Sequence, residues 1–160
     1  MSAIFSECGR YRYALERPLV LSPRFWLLWV GLNPSTAGAE NNDATVSCMI
    51  RFTRDFGYDG LLLANMYAYR ATQPRELWRA PGYDRIGPMA DEHLNNLARR
   101  ADDIVVCWGA NANRDPTRVG HVKTLLRRHH ELHTLGFTKG GHPVHPLRQL
   151  TSLQMQRWNA

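Results

Sequence analysis

"RFWLLWVGLNPSTA" spans Arg24–Ala37. Its apolar run shows no alternation of polar and apolar residues. A strand with one wetted face alternates, whereas an unbroken apolar run is buried on both faces, as in a parallel sheet. The run then stops abruptly at Gly31, the pair Asn33-Pro34, and the hydroxyl residues Ser35 and Thr36.

The same kind of run recurs in "GLLLANMYAY" (60–69), "DDIVVCWGA" (102–110) and "LHTLGFT" (132–138). Helical patterns lie between these runs. In "ATVSCMIRFTRDFG" (44–57), Val46, Met49, Ile50 and Phe56 fall near helical spacing, with Asp43 as N-cap and Gly57 as C-cap. In "MADEHLNNLARRA" (89–101), Leu94, Leu97, Ala98 and Ala101 form one stripe, and Pro88 suits the first turn. In "RDPTRVGHVKTLLRRHH" (114–130), Asp115 caps, Pro116 opens the helix, and Val119, Val122, Leu125 and Leu126 face inward. "YRYALER" (11–17) alternates and predicts an N-terminal edge strand or hairpin arm, closed by "PLVLSP". Residues 70–88 read as a long irregular connection. Residues 139–158 read as a Gly/Pro/His loop followed by a short helix.

Strand alternating with helix predicts an α/β fold. The expected architecture is a three-layer α/β/α sandwich. Its sheet has about four mostly parallel strands plus the N-terminal edge strand or hairpin. With 160 residues, the chain fits a single α/β domain over 1–160. Hydrophobic residues make up 44%, enough for a packed core, and the net charge of +6 favours a polyanionic partner such as nucleic acid. The three cysteines, Cys8, Cys48 and Cys107, are odd in number and far apart, which argues against a disulfide framework and a Cys-based zinc site. "FWLLWVGL" is too short to span a bilayer, and the N-terminus lacks the apolar core of a signal peptide. The expectation is a cytoplasmic, monomeric protein with no membrane partner, no metal and no cofactor.

In open α/β sheets, ligands bind beyond the carboxyl ends of the strands. Four segments sit there: "GLNPSTA", "NMYAYRAT", "WGANAN" and "TKGGHPVHP". Gly31 permits close backbone approach, and Pro34 biases Asn33 towards extended geometry. Asn33 either ends the strand in an Asx-Pro turn or presents a carboxamide that holds a water or reads a base edge. Asn65 is a strand-end amide that needs a partner, from backbone or ligand. Tyr67 and Tyr69 either pack on the sheet or stack on a planar ligand. Trp108 reads as core. In "GGHPVHPLR" (140–148), two His-Pro pairs stand in a stiff loop, and a neutral His can donate to an oxygen gaining negative charge. Asp43 is an N-cap first and a partner for a water second. "HHELH" (129–133) lacks the spacing of HExxH, so it reads as a solvated helix terminus.

Taken in order, "CGRYRY", "GLNPSTA", "ANMYAYRAT", "WGANA" and "HPVHPL" resemble a bacterial and phage domain family of unknown function, number sixteen-forty-three. The motif order is also distantly similar to the uracil-DNA glycosylase superfamily. There, the first strand ends in a motif such as GINP, an LLLN strand and a WG strand end follow, and the last loop reads HPSPL. The resemblance implies a uracil-DNA-glycosylase-like fold with Asn33 as water-positioning amide, Asn65 as base-reading amide, and His145 or His142 as the loop histidine. It implies Asp43 as an electrostatic partner, Tyr67 as a stacking ring, and Gly31, Pro34 and Ser35 around the base. Leu147 and Arg148 would stand where the family's wedge enters the duplex, with Lys139 nearby on DNA. Ser35-Thr36 and the missing loop serine depart from the pattern. The expected function is hydrolysis of the N-glycosidic bond of a damaged or modified base in DNA. The alternatives are a non-catalytic base- or nucleotide-binding module and a hydrolase of free nucleosides or nucleotides.

Overall fold

The computed structural model describes residues 1–159. The chain forms β1 (Ser2–Phe5), β2 (Arg12–Pro18), β3 (Trp26–Gly31), α1 (Ala44–Asp55), β4 (Gly60–Asn65), α2 (Pro74–Arg79), α3 (Gly82–Ile86), α4 (Ala90–Arg100), β5 (Asp103–Val106), α5 (Pro116–Arg127), β6 (Leu132–Thr134) and β7 (Gln156–Arg157). A 3-10 turn at Ala110–Arg114 precedes α5.

All seven strands join one sheet in the order β1-β2-β4-β3-β5-β6-β7. β3 runs parallel to both β4 and β5, and β5 runs parallel to β6. The β1–β2, β2–β4 and β6–β7 pairings are antiparallel. The sheet is therefore mixed, which corrects the expectation of a mostly parallel sheet of about four strands. The four central strands carry the apolar runs that announce burial on both faces. β1 and β7 are short, and both alternate or expose their residues, so no buried run marks them. β2 lies between β1 and β4 and is an inner strand of the hairpin, not the edge.

Period-two alternation splits each central strand between two apolar clusters. Leu28, Val30, Leu62, Ala64, Ile104 and Val106 pack with α4 (Leu94, Leu97, Ala98) and α5 (Val122, Leu125, Leu126). Leu27, Trp29, Leu61, Leu63 and Val105 pack with Val46, Met49 and Phe52 of α1. The stripes read from the sequence thus face the sheet in all three long helices. Asp43 and Asp115 cap α1 and α5 as the sequence indicates, whereas Pro88 stands two residues before α4 and not in its first turn. Asp43 accepts from the Val46 amide at 2.8 Å, Asp115 accepts from the Arg118 amide at 3.0 Å, and Gly57 takes φ +83° just past α1.

Two further expectations are corrected. Residues 70–88 hold the short helices α2 and α3, which a window of one or two turns hides. The C-terminal segment contains β7 and turns, with no helix among the described residues. Among the described residues, no helix is long and apolar enough to cross a membrane.

Buried Arg118 ties these elements together. Its Nε and Nη2 donate to the Met66 carbonyl at 2.9 and 2.7 Å, and its guanidinium grips Asp91 at 3.0 and 2.6 Å. Asp91 also bonds His121 at 2.8 Å. This clamp fixes the chain just beyond the carboxyl end of β4, next to Asn65.

Candidate active-site cavity

Strand register builds the site. Gly31 of β3 lies beside Asn65 of β4, and Val30 lies beside Val106 of β5, so the carboxyl ends finish level. Beyond them the chain continues as paired backbone: the Met66 amide donates to Gly31 O and the Tyr67 amide to Leu32 O, while the Gly109 amide donates to Pro143 O. The last contact draws the His-Pro loop onto the end of β5. A cavity of about 520 Å³ opens there, and its walls include Gly31, Asn33, Ser35, Asp43, Asn65, Trp108, His145 and Leu147. That volume falls in the range of small-ligand sites, about 300–1,000 Å³.

Asn33 is braced on one side only. Its Nδ2 donates to Pro34 O at 3.0 Å and to Ala71 O at 2.8 Å. Two carbonyl partners define which amide atom is nitrogen, so Oδ1 is the atom left over. It accepts no hydrogen bond among the described residues. Pro34 is buried and does not line the cavity; its carbonyl accepts from Asn33 and from the Ala71 amide at 3.0 Å. It acts as a brace, not as a ligand contact, correcting its expected place against the base.

Asn65 is 8% exposed, and neither end of its carboxamide makes a hydrogen bond among the described residues. A buried amide without partners is costly unless water or a ligand supplies them. Gly31 makes room for it, since a Cβ there would lie 2.7 Å from Asn65 Oδ1. Gly31→Ala is therefore expected to turn the amide aside. Ligand affinity, measured by calorimetric titration, should drop about tenfold, the equivalent of roughly one lost hydrogen bond.

His145 stands at the cavity edge. The residue is exposed overall, but one side of its ring is set against the cavity wall. That burial lowers its pKa below the ordinary 6.5, and the Asp43 carboxylate opposes the shift. The ring is neutral at pH 7. Its Nδ1 accepts from the Leu147 amide at 3.2 Å, which leaves the proton on Nε2 as a donor. His142 does not line the cavity. Its backbone bonds Thr138 in the preceding turn, so of the two loop histidines His145 is the one at the site.

Asp43 gives Oδ1 to the cap of α1 and leaves Oδ2 without a hydrogen bond, so capping and lining the cavity coexist. Tyr67 is elsewhere. It is buried in the cluster under α4 and α5, edge-on to Trp78 at 5.6 Å, and donates to Asp115 at 2.8 Å. Burial and that carboxylate hold its hydroxyl protonated, far above the usual tyrosine range. It cannot stack on a ligand in the cavity, because an even count of residues from Asn65 is broken where β4 ends and the chain turns. Tyr69 is also outside the cavity. Trp108 is both core and cavity wall, packing edge-on against Trp158 at 5.6 Å. Lys139 and Arg148 are exposed and outside the cavity; Arg148 holds φ +64°, the one non-glycine residue described with positive φ.

The sequence reading missed Arg12, Thr45 and Met49 in the cavity wall. Arg12 belongs to "CGRYRY", but a charged residue in an alternating strand reads as solvent-facing. It is 3% exposed. The histidines of "HHELH" serve other ends, with His129 bonding Asn95 at 2.8 Å.

Fold and cavity define an α/β protein with a pocket of mixed polar and apolar lining at the carboxyl ends of its central strands. The chain belongs to the family described as protein of unknown function DUF1643, whose model matches residues 12–147. No curated protein and no solved structure matches it.

Proposed function

We propose that the protein is a uracil-DNA-glycosylase-like hydrolase with a three-layer α/β/α fold of that type. It would cut the N-glycosidic bond of a damaged or modified base in DNA. The observation that carries this reading is the convergence of Asn33, Asn65, Asp43 and His145 on one cavity. A nucleotide is extruded into the pocket, since chemistry on a base requires leaving the stack. Asn65 reads the base edge with its free carboxamide. Asn33 Oδ1 accepts from the attacking water and aims it at the sugar carbon. As the glycosidic bond breaks, its electron pair passes to the base, and His145 Nε2–H donates to the base oxygen that gains negative charge; the water oxygen bonds to the sugar carbon and its surplus proton ends on the departing base. The Asp43 carboxylate, on the wall of the same cavity, favours positive charge developing on the sugar. Leu147 fills the stack from the cavity mouth, and Arg148 and Lys139 contact DNA phosphates.

Incubation with duplexes carrying uracil, hypoxanthine or modified pyrimidines should release free base; no release across the panel overturns the reading. The pH profile is a sharper check. His145 must be neutral because its Nδ1 accepts from the Leu147 amide, a contact that holds the ring in place and is lost when Nδ1 takes a proton. Protonation at low pH removes that state, so the rate should rise from acid to a plateau, with a midpoint below 6.5. Asp43→Asn removes the opposing charge and should move the midpoint lower still. The same sign governs folding: the unfolded histidine binds its proton more readily, so this contribution to stability fades as pH falls below about 6.5.

One observation favours a second reading, a base- or nucleotide-binding module without turnover. Half of the Asn33 amide is committed to the loop through Pro34 O and Ala71 O. Base binding that survives Asn33→Ala, without product, would select it.

A further inference from the structure

Arg12 is a buried cation without a contact anion. Its Nη1 donates to Ala37 O at 2.7 Å, and Nε and Nη2 make no hydrogen bond among the described residues. Among the described residues no carboxylate lies within ion-pair distance. Arg17, by contrast, is saturated by the Ser2, Glu16, Gly38 and Asn41 carbonyls and Asn42 Oδ1, so its guanidinium only holds the loop. Burial lowers the Arg12 pKa to about 10; Asp43 opposes that shift, whereas Arg70 and Arg17 add to it. A buried charge is costly unless paired.

The surroundings point the same way. The first turn of α1 lines the cavity through Ala44 and Thr45, whose N–H groups have no acceptor within the helix. A second recess of about 350 Å³, lined by Arg10 and Arg70, shares Ser35, Ala71 and Thr72 with the cavity wall. Two guanidinium groups and one carboxylate, Glu76, thus line the recess beside the Arg12 cavity.

We propose that Arg12 is the anchor for a phosphate group of the ligand, drawn into the cavity beside the N-terminus of α1. The guanidinium gives two parallel donors to phosphate oxygens. The assignment rests on reading the cavity as the ligand site. Two sources supply the same chemistry: the phosphate of a free nucleotide, or a phosphodiester flanking an extruded nucleotide.

The test titrates inorganic phosphate, thymidine, thymidine 5′-monophosphate and a uracil-containing oligonucleotide into the full chain. Binding is followed calorimetrically and through the Arg12 Nε–H resonance. Phosphate should shift that resonance saturably, and the monophosphate should bind at least tenfold tighter than the nucleoside. Arg12→Gln should abolish that preference and Arg12→Lys should keep part of it. Because Arg12 also holds Ala37 O, Asp43→Asn provides a variant that keeps the helix cap; it should tighten phosphate about fivefold. Dependence on Arg12 for the monophosphate alone identifies a free nucleotide, and dependence for the oligonucleotide identifies the DNA backbone. No phosphate preference in the native protein, or one that persists in Arg12→Gln, overturns the proposal. Failure to release any base overturns the glycosylase reading while leaving the phosphate result standing, and the converse also holds.

Discussion

Asn33→Ala is expected to lower single-turnover base release by about a hundred- to a thousandfold, the usual scale for losing one positioned catalytic group. The substitution removes the only acceptor proposed to orient the water. His145→Ala should cost a similar factor, because it removes the Nε2–H donor to the leaving base. The double variant should fall little below the worse single one, since groups acting on one transition state are not additive. Asn33→Ala also removes the hydrogen bond to Ala71 O and one of the two that Pro34 O accepts, each worth about 1 kcal/mol, while the Ala71 amide still donates to Pro34 O. Stability must therefore be measured alongside rate. Asn33→Asp is the informative companion. It retains an oxygen towards the cavity but points a second one at those same two carbonyls, so it should destabilise more than alanine does. An Asn33→Ala rate within twofold of the native rate overturns the role of Asn33.

Much of this site is legible in the sequence, for one physical reason. Parallel strands bury both faces, so each ends with an abrupt change from apolar to polar residues, and those changes mark the ligand edge. Asn33, Asn65 and His145 are found that way. The misses also have reasons. Tyr67 lies two residues beyond Asn65, where period-two counting would keep it on the same side. The chain leaves β4 at Asn65, however, and Tyr67 turns under α5 to meet Asp115. Arg12 hides because nothing in an alternating strand says that its charge will be buried by the loop 37–42, which lies 25 residues further along. β1 and β7 hide because short, wetted strands carry no apolar signature. Local pattern thus reports burial set by neighbours along the chain, and it is silent where a distant loop does the burying.

Trp29→Ala should remove about 3–5 kcal/mol of stability, the range for deleting a large buried aromatic. Against a total of about 5–15 kcal/mol, that brings the protein close to unfolding. Trp29 is fully buried at the centre of β3, between Leu63 of β4 and Val105 of β5. Its ring packs on Phe52 of α1 at 6.2 Å, and its Nε1 donates to Thr53 Oγ1 at 2.9 Å, which in turn donates to Met49 O at 2.7 Å. One side chain thereby joins the sheet to the helix whose first turn lines the cavity. Trp29→Phe separates the two contributions: it keeps a ring and loses the hydrogen bond and part of the volume, so it should cost about 1–2 kcal/mol. Urea unfolding followed by circular dichroism reads both, with the midpoint falling and the slope unchanged. A loss below about 1 kcal/mol for alanine would mean that α1 is not held to the sheet through this ring. The phenylalanine variant, folded but loosened, should bind ligand less tightly only if the first turn of α1 forms part of the site. Undiminished affinity in that variant would place the recognition on the β3, β4 and His145 walls alone.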